Sequence, residues 1–188
     1  MKNELRTIYT YFSHHMRNCT AMVAASVTLL SYRMTDDEHK LIDEVIEASF
    51  LLDLFDAGME ICFAHVFDSN PASLNDNYDI EKYTLHFLDQ CKNIMADRGL
   101  KLDFSMTNPC VTKGNTHELR AITNIIIYEM IFQADKSLSV ELNQNRLCLT
   151  TDTCRAAPEI WKIIKDLCQK RGVSFSFDDK ECVLEFAV

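Results

Sequence analysis

Glycine is scarce in this sequence. The 188 residues include four glycines, at positions 58, 99, 114 and 172, and no two of them form a G-x-G pair. A loop that holds a triphosphate needs such glycines, because backbone N–H groups approach phosphate closely only where no Cβ intervenes. The composition therefore argues against a glycine-rich phosphate loop in this chain.

Other common signals are missing as well. The eight cysteines contain no C-x-x-C pair, and the first residues carry no apolar segment typical of a secretory signal. We therefore interpret the cysteines as small, mostly buried side chains of a cytoplasmic protein, with a zinc site as the less supported alternative. No stretch of about 18 uncharged apolar residues exists, so no membrane span is expected.

Negative charge predominates over positive charge. The chain has 28 acidic and 19 basic residues, which gives a formal net charge of -9. Because nucleic acid and anionic bilayers repel such a chain, neither is expected as a partner. Hydrophobic residues make up 47% of the sequence, which is enough for the packed core of one domain or two small ones.

Apolar residues recur at steps of three and four along two segments near the N-terminus, residues 4–33 and 36–66. This spacing predicts one apolar seam on each of two helices of about 30 residues, about 45 Å long. The predicted seams are Tyr9, Phe12, Met16, Cys19, Val23, Ser26, Leu30, and Leu41, Val45, Ala48, Leu52, Phe55, Met59, Cys62, Val66. A break at Met34–Glu38, with Thr35 or Asp36 as the next N-cap, predicts an antiparallel hairpin.

A hairpin of this length cannot bury both of its seams by itself. Pairing two hairpins into a four-helix bundle buries them, so the pattern favours a homodimer. The alternative is an intramolecular bundle formed with the C-terminal half.

The C-terminal half shows mixed periodicity after a turn-rich linker, Asp68–Asn77. We therefore place one domain at 1–67 and a second at 78–188. Helices are predicted at 79–98, closed by Gly99, at 116–134 and at 158–171; strands are predicted at 100–106, 138–142, 146–150, 173–177 and 183–186. The fold class is α+β: a long helical hairpin followed by a small two-layer α/β sandwich with a mainly antiparallel sheet.

A short motif in the first helix carries the clearest chemical signal. The run Phe12-Ser13-His14-His15-Met16-Arg17-Asn18 resembles the phospho-acceptor box of sensor histidine kinases. The order of parts, a dimerising hairpin followed by an α/β domain, is similar to that family over residues 4–188. The resemblance implies that His14 is the phospho-acceptor.

The heptad assignment suits the roles that the resemblance implies. His14 falls at an outward position and His15 beside the seam, while Arg17 and Asn18 lie one turn further on the face of His14. Arg17 would hold phosphoryl oxygens and Asn18 would orient the ring or a water. His15, where the commonest box has an acid, would donate to the phosphoryl group or pack beside the seam. An exposed histidine on a solvated surface is the alternative interpretation.

The second half departs from the kinase pattern at the nucleotide motifs. Asn124 aligns with the first asparagine of the asparagine-rich box, but Tyr128 aligns with the asparagine that holds magnesium. Asp152–Ala156 aligns with the D-x-G-x-G loop and has no glycine, and the glycine-rich lid is missing. The resemblance therefore implies a pseudo-kinase that binds no ATP.

The hypothesis from the sequence is a histidine phosphotransferase of a two-component phosphorelay. It would be a cytoplasmic homodimer that needs no cofactor, because the response-regulator receiver domain supplies the magnesium. Two alternatives stay open: a non-catalytic adaptor or inhibitor that binds a response regulator or histidine kinase, and a receiver-domain phosphatase. No metal ligand is expected in this chain.

Overall fold

The computed structural model describes residues 76–108, 111–153 and 160–186, together with helical positions between 21 and 61 that are separated by gaps. The chain divides into two compact units, Met1–Met59 and Glu60–Val188. The elements of the second unit are β1 Asp76–Asp79, α1 Ile80–Gln90, α2 Lys92–Asp97, β2 Lys101–Thr107, β3 Val111–Gly114, α3 Thr116–Gln133, β4 Ser137–Asn143, β5 Arg146–Thr151, α4 Ile160–Lys170, β6 Ser174–Phe177 and β7 Glu181–Glu185.

The second unit is built on a five-stranded sheet with the strand order β2-β4-β5-β7-β6. The pair β2–β4 is parallel, and every other pair in this sheet is antiparallel. A separate two-stranded sheet pairs β1 with β3 in antiparallel fashion. The predicted α+β class and the mainly antiparallel sheet are therefore confirmed for the described residues.

One face of the five-stranded sheet forms the core. Leu138, Val140 and Leu142 of β4 are fully buried, while the residues between them are half-buried or exposed. Helix α3 packs on β5, and α4 packs on β6. Apolar and polar residues alternate along the strand with a period of two residues. The sheet therefore has one apolar face, which helices cover, and one polar face.

Helix α3 is the central helix of this core. Twelve of its 18 residues are buried, so it is enclosed on most of its circumference. Asn115 caps it, because its side-chain oxygen accepts the backbone N–H groups of His117 and Glu118 at 3.1 and 3.3 Å. The helix predicted at 116–134 is confirmed, and the cap explains where it begins.

Two helix ends depend on glycine in the left-handed region. Gly99 follows α2 with φ +63° and Gly172 follows α4 with φ +70°. The Leu100 N–H bonds to Met95 O at 2.8 Å, and the Gly99 N–H bonds to Ala96 O at 2.9 Å. These are the paired bonds of a Schellman motif, so the predicted C-cap at Gly99 is confirmed.

Two local predictions were wrong. Asp76 and Asn77 are not linker residues but the first half of β1, which pairs with the distant β3. A four-residue strand with one fully buried side chain, Tyr78, has too short a pattern to be recognised without its partner. The helix predicted over 79–98 is two helices, because Cys91 has ψ -4°, well away from the α-helical value of about -42°.

The first unit is described only at part of its predicted hairpin. Every described position from 21 to 59 is helical. Val27, Ile42, Phe50 and Ala57 are buried. The turn that would join the two helices lies outside the described residues, so the hairpin stays a prediction.

Candidate functional site

The four residues predicted to carry the chemistry lie outside the described residues. His14, His15, Arg17 and Asn18 precede position 21, the first one that the structure describes. Their roles therefore stay predictions. The described residues bear on two other parts of the hypothesis, the apolar seam of the first unit and the nucleotide-motif positions of the second.

Two of the four described residues of the second predicted seam are exposed in the single chain, and the other two, Val45 and Met59, are half-buried. Leu52 has 49% and Phe55 has 60% of its surface exposed, whereas Phe50 and Ala57 are buried. At about 100° per residue, Leu52 and Phe55 lie on the side of the helix opposite to Phe50 and Ala57. This helix therefore has one face packed within the chain and a second apolar face open to solvent.

The first predicted seam shows the same property at one described position. Val23, a seam residue, is 40% exposed, while Val27, which lies outside the predicted seam, is buried. Exposed apolar residues at heptad spacing are typical of a helix that associates with another helix.

Two residues of α3 that the sequence resemblance aligned with the asparagine-rich box are Asn124 and Tyr128. Asn124 is 7% exposed, and its buried Oδ1 has no hydrogen-bond partner among the described residues. One turn later the Tyr128 ring lies 4.6 Å from the ring of Phe132. Arg98 stacks its guanidinium 4.9 Å from the Phe132 ring and donates to Phe132 O at 3.3 Å.

The side chain that follows Asn124 by one turn is thus a phenol. Magnesium prefers carboxylate, amide and carbonyl oxygens in near-octahedral geometry. Within the described residues, no three histidine, cysteine or acidic side chains form a group that would hold a metal ion. The stripe Asn124–Tyr128–Phe132 therefore offers a single amide and an aromatic surface.

Asp152, which the sequence resemblance aligned with a nucleotide loop, has a structural role here. Its carboxylate accepts the backbone N–H groups of Asp135, Lys136 and Ser137, the connection from α3 to β4, at 3.1, 3.0 and 3.3 Å. Desolvation raises the pKa of this carboxyl, but these N–H donors outweigh the effect and lower the pKa overall. The carboxylate is thus already engaged within the chain, and sequence reasoning did not identify this role.

A buried ion pair joins the start of α3 to the residue after α4. Arg171 Nε donates to Glu118 Oε2 at 2.6 Å, and the two side chains are 10% and 1% exposed. A cavity of about 10 Å³ beside this pair, lined in part by Gly114 and Phe186, has room for about one water. The pair thus links two helices within the core of the second unit.

The four described cysteines are free thiols. Burial raises the pKa of Cys91 and of Cys168 to about 12 and raises that of Cys182 further. Burial also raises the pKa of the half-buried Cys148 to about 11, aided by its hydrogen bond to Glu181. These thiols carry little thiolate, so they act as small packing groups.

No helix among the described residues is long and apolar enough to cross a membrane.

Solved structures that resemble this chain include histidine kinases. The cytoplasmic segment of histidine kinase QseC gives a TM-score of 0.58 at 8% identity, over 70% of this chain and 91% of that one. Histidine kinase AdeS of Acinetobacter baumannii gives 0.56 at 8% identity, over 92% and 97%. Histidine kinase ThkA, in complex with response regulator protein TrrA, gives 0.50 at 10% identity, over 99% of this chain and 64% of that one.

The sequence matches no protein-family model and no curated protein. At identities of 8–10%, the structural likeness shows the fold alone. The chain therefore has a fold like that of histidine kinases, and a shared fold does not by itself fix function.

Proposed function

We propose that this protein is a histidine phosphotransferase of a two-component phosphorelay. His14 accepts a phosphoryl group from a receiver-domain aspartate and passes it to another, and the chain binds no ATP. The proposal is supported by a histidine-kinase-like fold in which two residues that the resemblance aligned with nucleotide motifs already have partners within the chain. Asp152 holds a backbone connection, and Tyr128 packs against Phe132.

The transfer needs one nucleophile from this chain. A nitrogen of the neutral His14 imidazole, whose ordinary pKa is about 6.5, attacks the phosphorus of an aspartyl phosphate. The N–P bond forms while the P–O bond to the aspartate breaks, and the aspartate leaves as a carboxylate. The reverse reaction on a second receiver releases the imidazole.

The neighbours of His14 would stabilise the charge that moves in this step. Arg17 and Asn18 lie three and four residues after His14, so a continuous helix places them on its face. Arg17 would hold phosphoryl oxygens, Asn18 would orient the ring, and His15 would donate a hydrogen bond from the seam side. The receiver domain supplies its own magnesium, and ThkA, a structural neighbour, was solved with a response regulator.

In this proposal the protein is a homodimer, and its helical unit forms the dimer interface. The support is the exposure of Val23, Leu52 and Phe55, which were predicted as seam residues from heptad spacing and are open to solvent in the single chain. A second hairpin would cover them in a four-helix bundle. The dimer would present His14 on the outer face, where a receiver reaches it.

The proposal is tested with phosphorylated receiver domains. The full chain is incubated with a panel of them, and acid-labile phosphate on the chain is measured. His14→Ala should abolish transfer, whereas His86→Ala, at an exposed histidine of α1, should leave it unchanged. Undiminished labelling of the His14→Ala variant would contradict the assignment. Receiver binding without any transfer would favour the non-catalytic adaptor.

The claim about ATP has its own measurement. Isothermal titration of the full chain with ATP and magnesium should give no binding heat, with a nucleotide-binding kinase core as the positive control. Saturable binding would show that the second unit retains a nucleotide site, and an autokinase would then replace the phosphotransferase proposal.

A further inference from the structure

Strand β2 is an edge of the five-stranded sheet with an open side. It pairs with β4 along its whole length, and no described strand pairs with its other side. Natural edge strands are usually short, bulged, charged or interrupted by proline, because an open edge invites pairing with another chain. Strand β2 has seven residues in regular register, contains no proline, and has two charged residues, Lys101 at its first position and Asp103.

The backbone groups on the open side can be assigned from the register. The Lys101 N–H bonds to Lys136 O at 2.8 Å, and Thr107 O accepts the Gln144 N–H at 3.0 Å, so both ends of β2 direct these groups toward β4. In a parallel ladder the N–H and C=O of one residue point to the same side, and the side alternates. Leu102, Phe104 and Met106 therefore direct their backbone groups to the open edge.

The same three residues carry an apolar stripe. Leu102 is 38% exposed, Met106 is 42% exposed, and Phe104 between them is half-buried. They continue the row of Leu138, Val140 and Leu142 of β4, which is fully buried. The covered face of the sheet thus ends at β2 in apolar side chains that helices do not fully enclose.

We propose that a second copy of this chain pairs its β2 antiparallel to β2 about a two-fold axis through Phe104. In this register Leu102 lies opposite Met106 of the second copy, and Phe104 lies opposite its own equivalent. All three are residues whose backbone groups face outward, so each opposing pair exchanges both hydrogen bonds. The two five-stranded sheets become one continuous sheet.

Side-chain complementarity selects this register over its neighbours. It places each apolar residue of the stripe opposite another apolar residue, and it places Asp103 opposite Ser105 of the second copy. A shift by one residue would set apolar against polar side chains. A shift by two toward the N-terminus would set Asp103 opposite Asp103, and a shift by two toward the C-terminus would lose one hydrogen-bonded pair.

Hydrogen exchange of the full chain tests the pairing directly. The amides of Leu102, Phe104 and Met106 should gain protection as protein concentration rises, while that of Lys101, already bonded within the chain, should not change. Fast exchange of the three amides at every concentration would overturn the proposal. Protection that arises only when another protein is added would also overturn it, because the edge would then belong to that partner.

A charge variant tests the register. Ser105→Lys would face Asp103 of the second copy at two symmetric positions, and two favourable cross-strand pairs should tighten association about fivefold. Adding Asp103→Lys should reverse this gain, because lysine would then face lysine. Ser176→Lys on β6, the other edge, is the matched control and should change nothing. Sedimentation measures all three, and equal association of Ser105→Lys and the double variant would refute this register.

The edge pairing is separate from the proposed hairpin dimer. If both form, the weight-average mass should rise from dimer toward tetramer or longer assemblies as concentration increases. A chain that stays dimeric at every concentration, with unprotected β2 amides, would refute the edge pairing and leave the phosphotransfer proposal untouched.

Discussion

Removing Arg171 should destabilise the second unit strongly. Arg171 Nε lies 2.6 Å from Glu118 Oε2, and Nη2 lies 3.4 Å from Oε1. The carboxylate is 1% exposed, so Arg171→Ala would leave a buried charge without this partner. Breaking such a pair from one side costs about 3–5 kcal/mol. At about 2–4 °C per kcal/mol for a chain of this size, the midpoint temperature of thermal unfolding should fall by about 10 °C.

The measurements are urea unfolding for the free energy and thermal unfolding for the midpoint temperature. Both are followed by the fluorescence of Trp161, the single tryptophan, which is 1% exposed in the second unit. Lys92→Ala is the matched control. It removes an ion pair with Asp89 at 3.2 Å whose side chains are 66% and 72% exposed, so the cost should be at most about 1 kcal/mol.

A double variant separates the charge from the packing. Replacing Glu118 and Arg171 together by methionine removes the unpaired charge and keeps most of the volume. It should recover most of the stability that Arg171→Ala loses, since apolar pairs often match buried ion pairs. A loss below about 1 kcal/mol for Arg171→Ala, equal to that of Lys92→Ala, would refute the reasoning.

Three further predictions concern single positions. Asp152→Asn should destabilise the second unit at neutral pH. Because the folded pKa of Asp152 is lowered, that stabilisation is present above the ordinary pKa of about 3.8 and should disappear as pH falls through the folded pKa; a difference between wild type and variant that persists at low pH would contradict this. Gly114→Ala should destabilise the protein by about 1–3 kcal/mol, because a Cβ would lie 2.5 Å from Leu119 Cδ1. Gly58→Ala, the control with open space around it, should stabilise its helix by about 0.5–1 kcal/mol. Equal effects of the two variants in thermal unfolding would argue against the close contact. Phe55→Glu should weaken the proposed dimer at least about tenfold while helicity is retained; an unchanged sedimentation profile would show that this seam is not the interface.

The elements of the second unit that depend on neighbouring residues were predictable from sequence. The hairpin at 138–150 was predicted with its turn, and the structure pairs β4 with β5 around Gln144, whose φ is +53°. The central helix was predicted within one residue of its end at Gln133. These elements carry their own pattern of apolar spacing, caps and turn residues, so nearby residues suffice to specify them.

The candidate site was predictable only as a motif. The run from Ser13 to Asn18 and the lack of glycine pairs are properties of the sequence itself. The engagement of Asp152 with residues 135–137 and the packing of Tyr128 against Phe132 depend on distances in space. The lack of glycine in residues 152–156 was visible from the sequence, but the hydrogen bonds of Asp152 to a distant connection were not.

The sequence by itself determined the α+β class, most helices and strands of the second unit and the lack of a glycine-rich loop, but it did not indicate β1 or β3. Only the tertiary structure decided the pairing of β1 with β3, the ion pair of Glu118 and Arg171, and the open edge of β2. The physical reason is sequence separation. Helix and turn signals act over a few residues, whereas strand partners, buried charges and sheet edges are set by residues tens of positions apart.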